Sequence, residues 1–390
     1  MTDLSAFRLD ARSWIDAHCP AQLRHTEERF DGGRKAPFSA PYRAWFEACY
    51  ERGWTVPGWP RAYGGGALGR AEQRILREEM AAAGAPPPLG GMGVTMIGPT
   101  LLEFGTETQK QTHLTRIAKG EVRWCQGYSE PGAGSDLASL ATRAEDKGDH
   151  YLVNGSKIWT SGADLADWIF CLVRTDPHAP KHEGISFLLF PMDQPGVTVR
   201  PIRLISGSSD FCECFFDNAR ASKADLVDKE NRGWTVAKRL LQHERSSISG
   251  PGGGFGPREP LSGIARKYVG TRGGRIADSE TRQEVTRIEM DARAFALTQR
   301  RSAEENASGR TETYATSMFK YYSSELLRRR MEATIRLQGT RGVGWEGRGF
   351  TRDELDTTRL WLFGKALTIA GGSSEVQLNI VAKRVLGLPD

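Results

Sequence analysis

The sequence predicts an α+β protein in which a β-rich block lies between two helical regions. Residues 1–120 carry apolar residues at three-to-four spacing, as in PYRAWFEACYERG, which is typical of amphipathic helices. Residues 123–217 instead contain short β-prone runs parted by Pro, Gly and charged turns, and helical spacing returns from Gly233. We therefore expect three domains, with boundaries at 1–122, 123–229 and 230–390.

Local signals support this division. Thr106 and Gln109 form a capping-box pattern at the start of a helix. In the β block, Asn154-Gly155 inside HYLVNGSKIWT predicts a hairpin turn, and DWIFCLVRT, GISFLLFP, VTVRPI and ECFFD follow as strands. The glycine-rich stretch 250–260 predicts a flexible loop within the last domain.

Composition excludes several classes of function. The 53 Lys and Arg residues exceed the 48 Asp and Glu residues too slightly to indicate nucleic-acid binding. The six cysteines form no CxxC pair and no metal-ligand spacing, and Cys212 and Cys214 share one face of a strand, which indicates a reducing compartment. The N-terminus lacks a signal-peptide pattern, and the longest apolar runs are only strand-sized. We therefore expect a cytoplasmic protein with no membrane span and no metal site.

Two neighbouring stretches of the β block carry candidate chemistry. CQGYSEPGAGSD (125–136) combines an irregular Pro- and Gly-containing backbone with the hydroxyls of Ser129 and Ser135, which suits a flat hydrogen-bonding ring or a phosphate; a surface turn is the alternative. KIWTSGAD (157–164) contains Trp159 and Ser161. Trp159 is either a core residue or a face on which a cofactor ring stacks.

These stretches also resemble a known family. The segment from CQGYSEPGAGSD to FCLVRT is similar to the middle domain of acyl-CoA dehydrogenases, as are GWTVPGWPRAYGG and NRGWTVAKRLLQHER to their flanking domains and TIAGGSSEVQLNIVAKRVLGLP to their closing segment. The resemblance implies an N-terminal helical domain, a middle β-barrel or sandwich and a C-terminal four-helix bundle. It also implies FAD bound between the β domain and the C-terminal helices, oxidation of an acyl-CoA to the 2-enoyl-CoA, an electron-transfer flavoprotein as electron acceptor, and a homo- or hetero-tetramer.

Carried over by position, the resemblance implies several site residues. Ser135 and Gly371 would also face the acyl-CoA. Gln338 and Gly339 would correspond to the family's Gln-x-x-Gly-Gly contact, although the glycines of this sequence do not match that spacing. The residues that the resemblance places near FAD are Gln126, Tyr128, Ser129, Gly134, Ser135, Trp159, Ser161, Gln338, Gly339, Ser373 and Glu375.

The catalytic base is expected at Glu244. The reaction needs one desolvated carboxylate to take the α-proton. Many family members carry it in the closing motif, where this chain has Gly371; others carry it in a Glu-Arg pair on the first C-terminal helix, which is Glu244-Arg245 here. Independently, Glu244 falls within an apolar helical stripe, where a carboxylate needs a partner or a purpose; a structural ion pair is the alternative. Arg245 would balance this charge or support the CoA. The stripe consists of Trp234, Ala237, Leu241 and Ile248.

One family feature is missing. The arginine that reaches the FAD pyrophosphate of a neighbouring subunit is followed in the family by Phe-Gly, and GTRGGRIADSETRQEV lacks this pattern. Arg272, Arg275 and Arg282 are alternative replacements. The departure leaves open a role as the partner subunit of a heteromeric enzyme, and an acyl-CoA oxidase is a further alternative. Because Gly371 leaves volume beside the reacting carbons, we expect a bulky or branched acyl chain to be tolerated.

Overall fold

The computed structural model describes residues 3–35, 37–249, 259–307 and 315–389. The chain divides into two compact units. The first contains residues 1–202 and 210–240, and the second contains residues 203–209 and 241–390. The predicted loop at 250–260 lies almost entirely outside the described residues.

The first unit begins with helices, as the apolar spacing predicts. Their buried faces form one core that includes Ile15, Trp45 and Leu76. The capping box at Thr106 is confirmed: its hydroxyl accepts from the Gln109 N–H, and the Gln109 side chain returns a bond to the Thr106 N–H. The helices are α1 (Leu4–His18), α2 (Ala40–Glu51), α3 (Arg70–Ala82), α4 (Gly98–Phe104), α5 (Glu107–Gln109) and α6 (Thr115–Ala118).

A seven-stranded sheet forms the rest of the first unit. The order is β1-β4-β2-β3-β7-β6, and β5 pairs with β4. Strands β4 and β5 are buried along almost their whole length, whereas β3 and the first half of β7 alternate between buried and partly exposed residues. The strands are β1 (Trp124–Gly127), β2 (Arg143–Asp146), β3 (His150–Ser161), β4 (Trp168–Arg174), β5 (Ile185–Pro191), β6 (Val197–Ile202) and β7 (Phe211–Ser222).

The predicted hairpin at Asn154-Gly155 is wrong. Strand β3 runs straight through this dipeptide and pairs with β2 and β7 on its two sides. The Asn154 side chain instead bridges an irregularity in the partner strand, exchanging bonds of 3.2 and 2.9 Å with Asn218, which has φ +55°. A Cβ at Gly155 would lie 2.6 Å from the Thr142 Oγ1, so glycine is required for close packing rather than for a turn.

Helix α7 (Gly233–Ser249) follows the sheet, and the second unit is mainly helical. Helix α10 packs against α8, α9, α11 and α12. The shared core contains Ile264, Ile288 and Leu326. A small hairpin that the sequence prediction missed precedes α9. The elements are α8 (Leu261–Val269), β8 (Thr271–Arg272), β9 (Arg275–Ile276), α9 (Ser279–Ala307), α10 (Ala315–Gln338), α11 (Arg352–Gly364) and α12 (Ser374–Ile380).

All six cysteines are buried free thiols. Cys212 and Cys214 lie on the same buried face of β7, as their spacing predicts. Within the described ranges, no helix combines the length and the apolar content needed to cross a bilayer.

Candidate active site

The loop that follows β1 is held against β3. A tight turn closes it, because the backbones of Glu130 and Ala133 exchange two hydrogen bonds of 3.0 Å across Pro131-Gly132. The Ile158 N–H donates to the Ser129 carbonyl at 2.9 Å. The serine-containing loop and the end of β3 therefore form one continuous surface in the first unit.

A β-bulge presents Trp159 on that surface. Lys157 pairs with Cys214 and Thr160 with Cys212, so β3 carries one extra residue between them. Trp159 lies in this bulge with φ +61°, a conformation that side chains other than glycine rarely adopt, and 54% of its surface is exposed. Lys157 and Thr160 both point inward, so the bulge turns the indole outward without breaking the strand.

The residues of β1 and the loop that follows it fit a flat ring with hydrogen-bond acceptors on its edge. The Gln126 side-chain N–H₂ is buried and has no hydrogen-bond partner among the described residues. A buried donor of this kind needs an acceptor, and the carbonyls of a flavin pyrimidine ring would supply it. In the part of the chain that the structure describes, no atom lies within 4 Å of a Cβ built on Gly134, and Ser135 is exposed beside it. The residues present therefore fit FAD.

Tyr128 and Ser161 contribute differently. The Tyr128 side chain is buried, with its ring edge-on to Phe170 and Phe187 at 6.1 and 6.4 Å, so its backbone is the part nearest the loop surface. Ser161 is partly exposed at the end of β3, where it pairs with Phe211. Phe211 in turn lies edge-on to the Trp159 ring at 6.2 Å.

The closing glycine motif lies in the second unit and is shaped by its own neighbours. Gly371 and Gly372 have φ +69° and +92°, and the Gln377 amide donates to the Gly371 carbonyl at 3.1 Å. Ser373 caps α12 by accepting from the Val376 N–H. The two glycines are therefore required by backbone conformation.

Ser373 also restrains Glu375. The pKa of Glu375 is lowered, first by its own backbone N–H and then by the Ser373 hydroxyl. The Glu375 carboxylate is exposed and takes part in the cap at the start of α12. The structure thus places Gly371, Ser373 and Glu375 on one short segment of the second unit.

The three candidate arginines have different surroundings. Arg282 donates to the Ile276 carbonyl at 2.8 Å, so it supports the β8–β9 hairpin. Arg272 and Arg275 are exposed and directly opposite each other in this hairpin. Its turn residues Gly273 and Gly274 have φ +57° and +74°, and their Gly-Gly pair is the sequence signal that predicts such a turn.

Gln338 and Gly339 lie at the end of α10. Gln338 is buried and its side-chain oxygen lacks a partner in the described part of the chain. Gly339 has φ +56°, and no atom of the described residues lies within 4 Å of a Cβ built on it. An acceptor without a donor beside open space is compatible with a ligand group that carries N–H or O–H donors.

Glu244 and Arg245 lie within α7, but their side chains fall outside the described residues. The described part of the helix is buried at Val236, Ala237 and Leu240, whereas Trp234 and Leu241 of the predicted stripe are half-buried. With about 3.6 residues per turn, positions 237, 240 and 244 share one face of a helix.

Comparison with known proteins decides the family. Family models for the N-terminal, middle and C-terminal domains of acyl-CoA dehydrogenases match residues 2–121, 125–219 and 231–386. The chain belongs to the acyl-CoA dehydrogenase family. It is accordingly an oxidoreductase, and the members of this family are flavoproteins. The observed helices and curled sheet agree with the predicted fold class.

Individual relatives are similar over the full length of the chain. Acyl-CoA dehydrogenase IpdE1 of Mycobacterium tuberculosis is 37% identical over 100% of this chain and 99% of its own. The solved Tcur3481-Tcur3483 steroid ACAD has a TM-score of 0.79 and 31% identity, covering 99% of this chain and 97% of its own. The ChsE4-ChsE5 complex of Mycobacterium tuberculosis has a TM-score of 0.76 and 29% identity, covering 100% and 98%.

The sequence prediction missed two residues beneath this surface, Lys157 and Glu130. They form a buried ion pair of 2.7 Å. A lysine at an inward position of a strand is a signal for such a pair, because a buried ammonium requires a partner. The sequence alone does not identify that partner, since it lies in an irregular loop.

Proposed function

We propose that this acyl-CoA dehydrogenase binds FAD and converts an acyl-CoA thioester to the 2-enoyl-CoA, with an electron-transfer flavoprotein as electron acceptor. Two observations carry the FAD assignment: the buried Gln126 N–H₂ has no partner among the described residues, and Trp159 is turned outward. When bound, FAD supplies the acceptor for the β-hydride. The remaining proposals concern what the residues of this chain do.

Residues around the loop would bind and orient the ring. The Gln126 N–H₂ would donate to a ring carbonyl, and Trp159 would cover the ring with its indole face. Ser129, Ser135 and Ser161 would offer hydroxyls at the edge of this surface, and the backbone of Tyr128 and Gly134 would leave room for close approach. Ser135 would also face the acyl-CoA.

Glu244 is our proposed base for the α-proton. Family members use either this position or the one occupied here by Gly371, which carries no side chain. The helical face that includes Ala237 and Leu240 is buried and continues by period to position 244, where desolvation would raise proton affinity. Arg245 would balance the charge or contact the CoA, and the backbone near Gly371 would donate to the thioester carbonyl.

In the second unit, Arg272 is the proposed contact to the FAD pyrophosphate. Because Arg282 is already engaged with a backbone carbonyl, the exposed Arg272 and Arg275 are the better replacements for the missing family arginine. Gln338, Gly339, Ser373 and Glu375 remain proposed FAD contacts. Assembly as a homo- or hetero-tetramer stays a prediction.

A bulky acyl group is our proposal for the substrate. Support comes from the similar Tcur3481-Tcur3483 protein, which is a steroid ACAD. The volume at Gly371 is weaker support, because its positive φ already requires glycine there. We expect thioesters of bulky ring-containing acids to reduce the flavin faster than short straight-chain thioesters.

A second candidate is a partner subunit in a heteromeric dehydrogenase. Two similar solved structures contain a pair of differently named chains, Tcur3481-Tcur3483 and ChsE4-ChsE5. In this role the chain would complete an FAD site and have little activity alone. The two candidates differ in whether the purified chain bleaches its own flavin.

The test is anaerobic flavin bleaching with a panel of acyl-CoAs, using the chain alone and co-expressed with an adjacent family member. Bleaching by the chain alone supports the catalytic role, activity only with the partner supports the second candidate, and oxygen uptake during turnover would indicate an oxidase. Protein that binds no flavin in either preparation would overturn the proposal.

Glu244→Gln tests the base directly. We expect this variant to retain FAD. The rate of flavin bleaching should fall by about two orders of magnitude or more, because removal of a positioned general base lowers the rate about 10²–10⁴-fold. The control is Glu280→Gln, since Glu280 is an exposed carboxylate in the first turn of α9. Bleaching at the control rate in Glu244→Gln would exclude Glu244 as the base.

A further inference from the structure

The buried Lys157–Glu130 pair is unusual for its depth. Lys157 has no exposed surface, and Glu130 is 8% exposed. The ammonium lies 2.7 Å from a Glu130 carboxylate oxygen and 3.1 Å from the Tyr128 carbonyl. Desolvating both charges is costly, and apolar replacement of such a pair is often neutral or stabilising. The pair therefore needs an explanation other than stability.

The pair joins three segments that are distant along the chain. The Glu130 carboxylate also accepts from the backbone N–H groups of Ala141 at 2.6 Å and Thr142 at 3.0 Å, just before β2. Lys157 belongs to β3, two residues before Trp159. The Glu130 carboxylate thus connects the loop that follows β1, here called the Ser129 loop, to the residues that lead into β2. The Lys157 ammonium connects the same loop to β3.

This arrangement determines how the two ring-contacting segments are spaced. The Tyr128 carbonyl, which Lys157 holds, immediately precedes Ser129, whose own carbonyl accepts from the Ile158 N–H. The inward position of Lys157 also begins the bulge that turns Trp159 outward. Without the ammonium, the loop that follows β1 would lose its inner contact to β3 and would keep the backbone bond between Ser129 and Ile158.

We propose that Lys157 and Glu130 are positioning residues that fix the Ser129 loop relative to Trp159 before the flavin binds. This inference rests on the proposed FAD site. It assigns the pair to ligand affinity through preorganisation, because a loop ordered in advance loses less conformational entropy on binding.

The test measures FAD affinity and stability separately. Apoproteins of the full chain are titrated with FAD by flavin fluorescence, and their melting temperatures are measured without FAD. We expect the double variant Glu130→Gln/Lys157→Met to raise the FAD Kd by about tenfold or more. The spectrum of its bound flavin should also shift toward that of free FAD, because the ring would be less tightly enclosed.

The matched control is Glu79→Gln on α3. Glu79 is a similarly buried carboxylate, 2.5 Å from Arg8 and 2.8 Å from Arg12, but it lies on α3 in the N-terminal helical region. Its loss should lower the melting temperature without a comparable change in FAD Kd. A double variant with wild-type Kd, or a control with the same rise in Kd, would overturn the proposal.

A measurement on the unaltered chain covers the case in which the variants fail to fold. Hydrogen exchange of the wild-type apoprotein should show the amides of Glu130, Ala133 and Ile158 already protected before FAD is added. Free exchange in this segment that becomes protected only with FAD would mean that the ligand orders the loop, and the proposal would be wrong. A wild-type chain that binds no FAD would instead refute the proposed function.

Discussion

Two glycine-containing segments of this chain, residues 128–136 in the first unit and 369–377 in the second, are held in place by different chemistry. The first depends on a buried ion pair between Lys157 in β3 and Glu130, which are distant in sequence. The second depends on Gln377 and Ser373, which bond to backbone atoms six and three residues away, and on one hydroxyl bond from Ser374 to Glu325 at 3.1 Å. A buried ion pair thus anchors the first segment, whereas neutral donors, most of them bonded locally, anchor the second.

Substitutions in the two segments should therefore have different structural consequences. Loss of one member of the ion pair at the first segment should leave a buried charge without its partner. A change in the second segment should perturb mainly the start of α12.

The largest effect is expected for Lys157→Met alone. It leaves the Glu130 carboxylate buried without its ammonium, which costs about 3–5 kcal/mol of unfolding free energy. Urea unfolding of the apoprotein measures this change. Lys181→Met is the matched control, because Lys181 bonds Asp136 of the same loop at 2.8 Å but both groups are at least half exposed. We expect the control to lose at most about 1 kcal/mol. Equal losses in both variants would contradict the contrast.

Sequence reasoning reached the local features of this molecule better than the long-range ones. The Thr106–Gln109 capping box was predictable because both partners lie within one helical turn. Asn154-Gly155 was mistaken for a hairpin because its actual partners, Asn218 and Thr142, come from other strands. The same reason hid the Lys157–Glu130 pair, whose geometry exists only once the sheet and the loop are in place.

The candidate site divides in the same way. Motif resemblance points to Gln126, Ser135 and Trp159, which lie on β1, in the loop that follows it and near the end of β3. It did not indicate the bulge that turns Trp159 outward, because a bulge depends on register with β7. The choice among Arg272, Arg275 and Arg282 also required the hairpin, since only contacts show that Arg282 is engaged.

Glycine substitutions should also lower the free energy of unfolding more in the first unit than in the second. A Cβ at Gly155 would lie 2.7 Å from the Thr142 Cα, which is backbone and cannot move alone. A Cβ at Gly372 would meet the end of the Gln377 side chain at 2.5 Å, which can rotate away. We expect Gly155→Ala to cost about 2–5 kcal/mol and Gly372→Ala about 1–3 kcal/mol, as measured by urea unfolding. If Gln377→Ala does not lessen the cost of Gly372→Ala in the double variant, the clash is not its cause.

Stability at low pH should depend on Glu354, a carboxylate of the second unit. The Thr351 backbone N–H, with the Tyr268 hydroxyl and Arg341, lowers the pKa of Glu354 from 4.5 to about 2. Because the folded pKa lies below the unfolded one, its contribution to stability is complete above pH 4.5 and is lost as pH falls toward 2. In Glu354→Gln, the melting temperature should therefore depend less steeply on pH across this window. Tyr268→Phe should give an intermediate slope, and an unchanged slope in Glu354→Gln would refute the assignment.

Glu130 should contribute part of the pH dependence of the melting temperature in both the wild type and Glu354→Gln. Burial raises the pKa of Glu130, but the Lys157 ammonium and the Ala141 and Thr142 donors outweigh it, so the pKa is lowered overall. Its stabilising charge is therefore also lost as pH falls. The residual slope in Glu354→Gln should decrease further when Glu130→Gln/Lys157→Met is added.

The smallest effect is expected for Ser373→Ala. Ser373 caps α12 through one bond to the Val376 N–H at 3.4 Å, and loss of an N-cap typically costs about 1 kcal/mol. Thr351→Ala is the control, because Thr351 forms a reciprocal capping box with the buried Glu354 and should cost more. Since the first segment is anchored through Lys157, Ala141 and Thr142, the protection of Glu130 and Ala133 against hydrogen exchange should be unchanged in Ser373→Ala. Loss of protection there would show that the two segments are coupled, and the contrast between local and long-range anchoring would fail.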